Sequence, residues 1–416
     1  MKKDLIISNF YPPAYFVGGQ RVASWVKYLH KFGVYPIVIT RRWNENQAEI
    51  TDDVIDNTYK HEKFDTHEVY FLPNPHSLRD KLHQQKRFGL LRKFLTLKEL
   101  LGTYFFLSAN NLYADFYNKA VEIIQKEKLD TLIISGKPFN SFHIGYKLKK
   151  RFSELKWIAD YRDEWSTHCL FEHNTASYLR KLEGKGEKKW TSNTEFIIAP
   201  DQKTASSISN YIDKKFYVIG NGFDGNLIKR EPNKSLKLIN LCYTGTVYAN
   251  QNIEELVDAI RELNAEDVPV KMRWIGIELA PDQGERVRKY CQDTPDLFEV
   301  FPIVDKIKLK ELVQDIDLYV LIAYKSMENV VPVKLFDYLF DGRPILFYPS
   351  DNGEINKVLK ETKTGLSFNG KEEFKSFIRT YFETNKDEDF YTPNETEIHK
   401  YSRENKVSEL AALIKQ

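Results

Sequence analysis

Residues 318–348 decide the fold: Leu-Tyr-Val-Leu-Ile-Ala-Tyr-Lys-Ser-Met-Glu-Asn-Val-Val-Pro-Val-Lys-Leu-Phe-Asp-Tyr-Leu-Phe-Asp-Gly-Arg-Pro-Ile-Leu-Phe-Tyr. Leu318–Ile322 is an apolar run long enough for a buried parallel strand, and a polar loop, Ala323–Val331, follows it. Pro332 suits the first turn of a helix, where its missing N–H is not needed. Val333, Phe336, Leu339 and Phe340 then recur at helical spacing until Gly342 stops the helix. Pro344–Tyr348 reads as the next buried strand. In such a strand–loop–helix–strand unit, anionic ligands bind at the strand's carboxyl end and the helix's amino end. Asp337 sits where an acid could hold ribose hydroxyls, and Lys325 and Lys334 where cations could neutralise phosphate.

The same alternation extends in both directions. Leu5–Ile7, Ile37–Ile39, Val69–Leu72, Thr131–Ile134, Trp157–Ala159, Ile197–Ala199 and Phe216–Ile219 read as strands separated mostly by helical patterns. Gly18-Gly19 opens the first helix, which lets backbone approach a phosphate or sugar closely, although a glycine pair also makes a plain flexible turn. Gly220-Asn-Gly-Phe-Asp-Gly225 breaks the pattern. A second alternation starts at Leu238–Tyr243, again with a glycine after its first strand, Gly245. The expectation is α/β: two doubly wound parallel-sheet, Rossmann-like domains, 1–220 and 221–399, facing across a cleft, with a last helix in 400–416 packing back on the first.

The totals fit this reading. A chain of 416 residues exceeds one average core. A net charge of +2 gives no whole-chain pull toward nucleic acid. Three cysteines without CxxC spacing suit reduced thiols in the cytoplasm. The start of the chain runs straight into a strand, too soon interrupted for a signal peptide, and no segment has the ~20 apolar residues of a membrane span. Segment 79–110 stands apart. It interleaves Arg79, Lys81, Lys86, Arg87, Arg92, Lys93 and Lys98 with Leu and Phe, as an interfacial helix on anionic lipid would. The plainer alternative is a helical insertion whose apolar face packs on its own domain.

Four stretches carry a resemblance to a known family. Tyr11-Pro-Pro with Gly18-Gly19 and Arg21 looks like the family's amino-terminal loop. Ser135-Gly-Lys-Pro-Phe-Asn-Ser-Phe-His143, with Trp157-Ile-Ala-Asp-Tyr-Arg-Asp-Glu-Trp165, is similar to a bacterial surface-polysaccharide (O-antigen type) branch. Ile219-Gly-Asn-Gly-Phe-Asp224 looks like a linker motif, and 332–346 resembles a donor-binding motif, Pro-x-Lys-x-Phe-Glu-Tyr-x-x-x-Gly-x-Pro-Ile. Together they resemble the GT-B-fold retaining glycosyltransferases of family 4. The resemblance implies a hexosyltransferase that moves sugar from a UDP- or GDP-sugar to a glycan or lipid-linked acceptor.

Residue by residue, it implies Asp337 at the donor ribose, a place the family usually gives to Glu. It implies Thr244, Gly245 and Thr246 under the diphosphate without the family's Arg, so that Lys325 and Lys334 supply charge. Asn329, Val330 and Val331 would line the donor, and Glu328, nine residues before Asp337 rather than the common eight, would touch the sugar. Gly18 and Gly19 would face the phosphates. Asp160, Arg162 and Asp163 would be catalytic groups, and Tyr11, Arg21 and His143 would lie on the acceptor side.

Asp160 or Asp163 would orient or deprotonate the acceptor hydroxyl; the alternative is an Asp–Arg pair that stiffens the strand end. His143 reads as helix-start packing or as a base. Fixed cations and N–H groups can stabilise a leaving diphosphate, so no metal or other cofactor is expected. Asp315-x-Asp317 lies at the wrong end of its strand for a metal, and Asp387-x-Asp389 in a solvated turn. Two rival readings remain: a UDP-sugar 2-epimerase of the same fold, and a non-catalytic nucleotide-sugar-binding scaffold.

Overall fold

A computed structural model describes residues 1–13, 17–43, 58–74, 82, 89–105, 113–166, 177–228, 237–325 and 328–416. The chain forms two compact units, Met1–Gly220 with Lys406–Gln416, and Asn221–Asn405. The return to the first unit comes at Lys406, later than the expected 400. Arg403 keeps the preceding stretch in the second unit, donating to the Gly222 carbonyl at 2.9 Å and pairing with Asp224 at 2.7 Å.

The first unit is built on β1 (Lys2–Ser8), β2 (Val34–Arg41), β3 (Lys60–Lys63), β4 (Glu68–Leu72), β5 (Thr131–Gly136), β6 (Lys156–Tyr161), β7 (Phe196–Ala199) and β8 (Phe216–Val218). Their order across the sheet is β3-β4-β2-β1-β5-β6-β7-β8. All pairs are parallel except β3 with β4, where the edge strand β3 is polar and the apolar pattern does not signal it. Parallel strands are covered on both faces and therefore read as continuous apolar runs. Here Leu5, Ile7 and Leu132 face one core layer with Phe116 and Phe142. Ile6, Val38 and Ile133 face the other with Trp25 and the returning Val407, Leu410 and Ile414.

The second unit carries β9 (Ile239–Thr244), β10 (Val270–Ile275), β11 (Phe298–Phe301), β12 (Leu318–Leu321), β13 (Ile345–Phe347) and β14 (Gly365–Ser367), in the order β11-β10-β9-β12-β13-β14. Every pair is parallel. Counted from the first strand of the unit, this is the doubly wound order 3-2-1-4-5-6, whose direction reverses between β9 and β12. In the first unit the reversal falls between β1 and β5. A ligand crevice is expected at each reversal, beyond the carboxyl ends of the strands. The helix Val333–Asp341 follows β12 and ends at Gly342, as its apolar spacing predicts.

Candidate functional site

The two reversals bring together most of the residues that the motifs single out. In the second unit, β9 ends at Thr244 and runs into Gly245, while β10 ends at Ile275 and runs into Gly276. Both glycines have positive φ, 79° and 73°. This left-handed backbone favours glycine at both positions, so the floor of the turn is bare backbone. The Thr244 N–H donates to the Tyr338 hydroxyl at 2.8 Å, and the Gly245 N–H to the Ile275 carbonyl at 2.7 Å. These two donors are committed inside the protein. The turn therefore offers a ligand close approach rather than these N–H groups.

Lys334 lies in the first turn of the helix after β12. Its ammonium sits 3.6 Å from the centre of the Tyr243 ring and donates to the Thr246 carbonyl at 3.3 Å. Burial pushes its pKa well below the ordinary lysine value, while Asp337 opposes the shift. Among the described residues no carboxylate forms an ion pair with it. Asp337 follows three positions later on the same helix and is exposed. Tyr338, one further on, is fully buried and stacks on Tyr319 at 4.0 Å.

The loops that flank this reversal are tied to each other by a residue the motifs did not flag. The Gln251 side chain receives the Tyr243 hydroxyl at 3.1 Å and the Tyr248 N–H at 3.0 Å, and it donates to the Ile322 carbonyl at 2.8 Å. The Lys325 N–H adds a bond to the Asn250 carbonyl at 2.7 Å, leaving the Lys325 side chain exposed. Asn329 has φ 64°, and its N–H donates to Asp351 at 3.1 Å. The other Asp351 oxygen receives the Gly353 N–H at 2.8 Å. Asp351, also unflagged, thus anchors the segment that carries Glu328, Val330 and Val331. Glu328 is exposed, and the two valines are half-buried.

In the first unit the cross-strand register pairs Ser135 with Asp160. The Ser135 hydroxyl accordingly donates to Asp160 at 2.7 Å. Arg21, from the helix Val17–Tyr28, grips the same carboxylate through Nε at 3.0 and 3.2 Å and Nη2 at 2.9 Å. Arg21 and Asp160 are both buried. This corrects two expectations. Asp160 has no oxygen left for an acceptor hydroxyl; it positions Arg21. Arg21 is likewise a buried structural cation rather than an open acceptor contact, and it also reaches the Gly220 carbonyl at 3.3 Å. The strand-end pair exists, but its arginine comes from the first helix and not from Arg162.

Arg162 turns away after β6 ends, donating to the carbonyls of Gly136 and Lys137. A Cβ on Gly18 would fall 1.2 Å from Arg162 Nη1. Gly18 is required because the guanidinium fills the space a side chain would take. Burial lowers the affinity of Arg162 for its proton, and the nearby carboxylates Asp160 and Asp163 partly restore it. Asp163 is exposed and pairs with Lys137 at 3.2 Å. The loop after β6 is clamped by Glu187, which receives the Tyr161 hydroxyl at 3.0 Å and the Ser166 N–H at 3.1 Å.

Two acceptor-side expectations fall into the packing. Tyr11 is buried in the core layer with Val22 and Trp25. His143 is buried with its ring flat against Trp190, centroids 4.7 Å apart. Asp315 pairs with Arg273 at 2.6 Å, and Asp317 accepts the Asn240 N–H at 2.8 Å.

Two doubly wound units of this strand order define the GT-B fold. Solved structures with the same fold align along the whole chain. The sucrose-phosphate synthase of Thermosynechococcus elongatus is 14% identical with a TM-score of 0.64, over 100% of this chain and 99% of that one. The Anabaena protein HepE in complex with UDP is 12% identical with a TM-score of 0.61, over 100% of both chains. The lipopolysaccharide outer core galactosyltransferase WaaB in its apo form is 10% identical with a TM-score of 0.57, again over 100% of both. No protein-family model and no curated protein matches the chain.

Proposed function

We propose that the chain is a retaining glycosyltransferase that moves a hexosyl group from a nucleoside-diphosphate sugar, UDP-linked in preference to GDP-linked, to a glycan or lipid-linked glycan. One observation carries this reading. At the reversal of the second sheet, a half-buried lysine that among the described residues has no carboxylate in ion-pair contact lies beside a bare-backbone turn, one helical turn from an exposed carboxylate. A diphosphate supplies the missing anion for Lys334, and a ribose supplies hydroxyls for Asp337. Lys325 adds a second cation from the flanking loop. Charge that develops on the departing diphosphate is then met by fixed cations, so transfer needs no metal. The neighbour that holds UDP and the neighbour that is a lipopolysaccharide galactosyltransferase support the donor class and a place in cell-surface glycan assembly.

In the first unit, the Arg21–Asp160 pair holds the strand end in shape, and Arg162 and Asp163 are the groups left to face an acceptor. Glu328 lies on the donor loop and is the carboxylate available to the transferred sugar.

Calorimetry with UDP and GDP tests the donor reading: micromolar-range binding of UDP, weakened at least tenfold in Asp337→Ala, is expected. Absence of binding to either nucleotide refutes it. Product analysis with UDP-sugar and no acceptor separates the rival, since release of an epimerised sugar would assign the fold to a 2-epimerase. Activity that persists with a chelator, and an unchanged anomeric configuration in the product, are the outcomes expected for a metal-free retaining transfer.

A further inference from the structure

The helix Gly89–Phe105 takes no part in either strand-end site, yet its side chains are arranged in an unusual way. A helix on a soluble domain turns its apolar stripe toward the core. Here Leu90 is 85% exposed, Phe94 63% and Leu97 49%, with Leu91 and Leu101 also exposed. At 3.6 residues per turn, positions 90, 94, 97 and 101 fall within an arc of about 60°. Lys93 and Lys98 are exposed on the two flanks of that arc, whereas Arg92 and Leu95, on the far side, are half-buried. The stripe therefore points outward, with a lysine along each edge.

We propose that this helix is a lipid-binding element that lies in the headgroup plane of an anionic bilayer. Its leucines and Phe94 enter the acyl boundary, and Lys93 and Lys98 meet lipid phosphates. The edge lysines select this occupant. Pairing the stripe with the same stripe on a second copy would set lysine rim against lysine rim, whereas an anionic surface neutralises both. Among the described residues no helix is long and apolar enough to cross a membrane, so the contact is in-plane. The inference goes beyond the donor reading and does not rest on it.

The test is flotation of the full chain with two kinds of vesicle, phosphatidylcholine alone and an equal mixture with phosphatidylglycerol. Strong binding to the mixed vesicles and at least tenfold weaker binding to phosphatidylcholine is expected, lost at high salt. Lys93→Gln and Lys98→Gln should each weaken binding about fivefold. Phe94→Ser with Leu97→Ser should abolish it with UDP binding unchanged, which separates this test from that of the donor site. Equal binding to both vesicles, no flotation, or flotation that survives the double serine variant would overturn the proposal. So would a dimer, seen by light scattering, that the double variant dissociates.

Discussion

At the carboxyl end of the first sheet the guanidinium of Arg21 lies against a carboxylate, whereas at the carboxyl end of the second the ammonium of Lys334 lies against an aromatic ring. Each cation is carried by a helix that follows a strand at the reversal of order, Arg21 after the first strand of its unit, β1, and Lys334 after the fourth strand of its unit, β12. The first is saturated. Asp160 spends its acceptor capacity on Arg21 and Ser135, and the cluster's work is to fix the strand end. The second is half-buried, and its contacts among the described residues are a ring face and one carbonyl. A buried cation with its counter-ion is a brace; in the proposed reading, the cation without one receives an anion that arrives from outside.

The largest expected effect comes from cutting the brace. Asp160→Asn keeps the shape but leaves the Arg21 guanidinium buried without its counter-ion, which should cost about 3–5 kcal/mol. Urea denaturation followed by a probe in the first unit reads this directly. UDP affinity should hold wherever the variant remains folded, because the proposed donor cations Lys334 and Lys325 and the carboxylate Asp337 belong to the other unit. If Asp160→Asn is as stable as the parent, the pair is not the brace and the contrast between the two ends disappears.

A smaller effect should follow from crowding the second guanidinium of the first unit. Gly18→Ala places a methyl on Arg162, which is anchored to two carbonyls and cannot swing freely. Overpacking of this kind costs about 1–3 kcal/mol. Arg162→Ala combined with Gly18→Ala should then be less destabilised than the sum of the two single changes, since the methyl occupies the vacated space. Additive losses would mean that the glycine serves something other than the arginine.

The contrast itself could not have been read from the chain. The segment 318–348 announces its strand–helix–strand form because a parallel strand buried on both faces is an unbroken apolar run, and because Gly342 and Pro344 punctuate the helix end. Where amphipathicity is thin the pattern is silent. The helix Pro281–Cys291 buries only Gly284, Val287 and Cys291, and β3 is nearly all charge. The partnership of Arg21 with Asp160 joins residues 139 apart, and only the adjacency of β5 with β6 and of β1 with β5 makes it possible. Proximity in sequence suggested Arg162 instead. Lys334 was legible as a cation near a phosphate site, but its ring partner Tyr243 lies on another strand. Gln251 and Asp351 act through backbone groups of distant loops, and such bonds leave no periodic trace in a sequence.

Lys334→Met sharpens the comparison most, although its effect on stability is small. Methionine keeps the length and rests on Tyr243 without a charge to bury, so the unliganded second unit should gain on the order of 1 kcal/mol in thermal melting. The same change should lower UDP affinity at least tenfold, because in the proposed reading the diphosphate loses its counter-ion. The pH dependence follows from the direction of the shift. Burial holds the folded-state pKa of Lys334 below 10.5, the value for the exposed amine. Between those two values the unfolded chain carries a proton that the folded chain does not, so the parent's stability rises with pH across that window. Below the folded pKa the full cost of burying the charge remains. A bound diphosphate restores proton affinity, so UDP binding should take up a proton and weaken as pH climbs through the folded pKa. Calorimetry in two buffers of different ionisation enthalpy measures that uptake, and Lys334→Met should abolish it. A methionine variant that binds UDP as tightly as the parent, with the same proton uptake, would leave Lys334 no more than a packing residue and return both ends of the molecule to the same class.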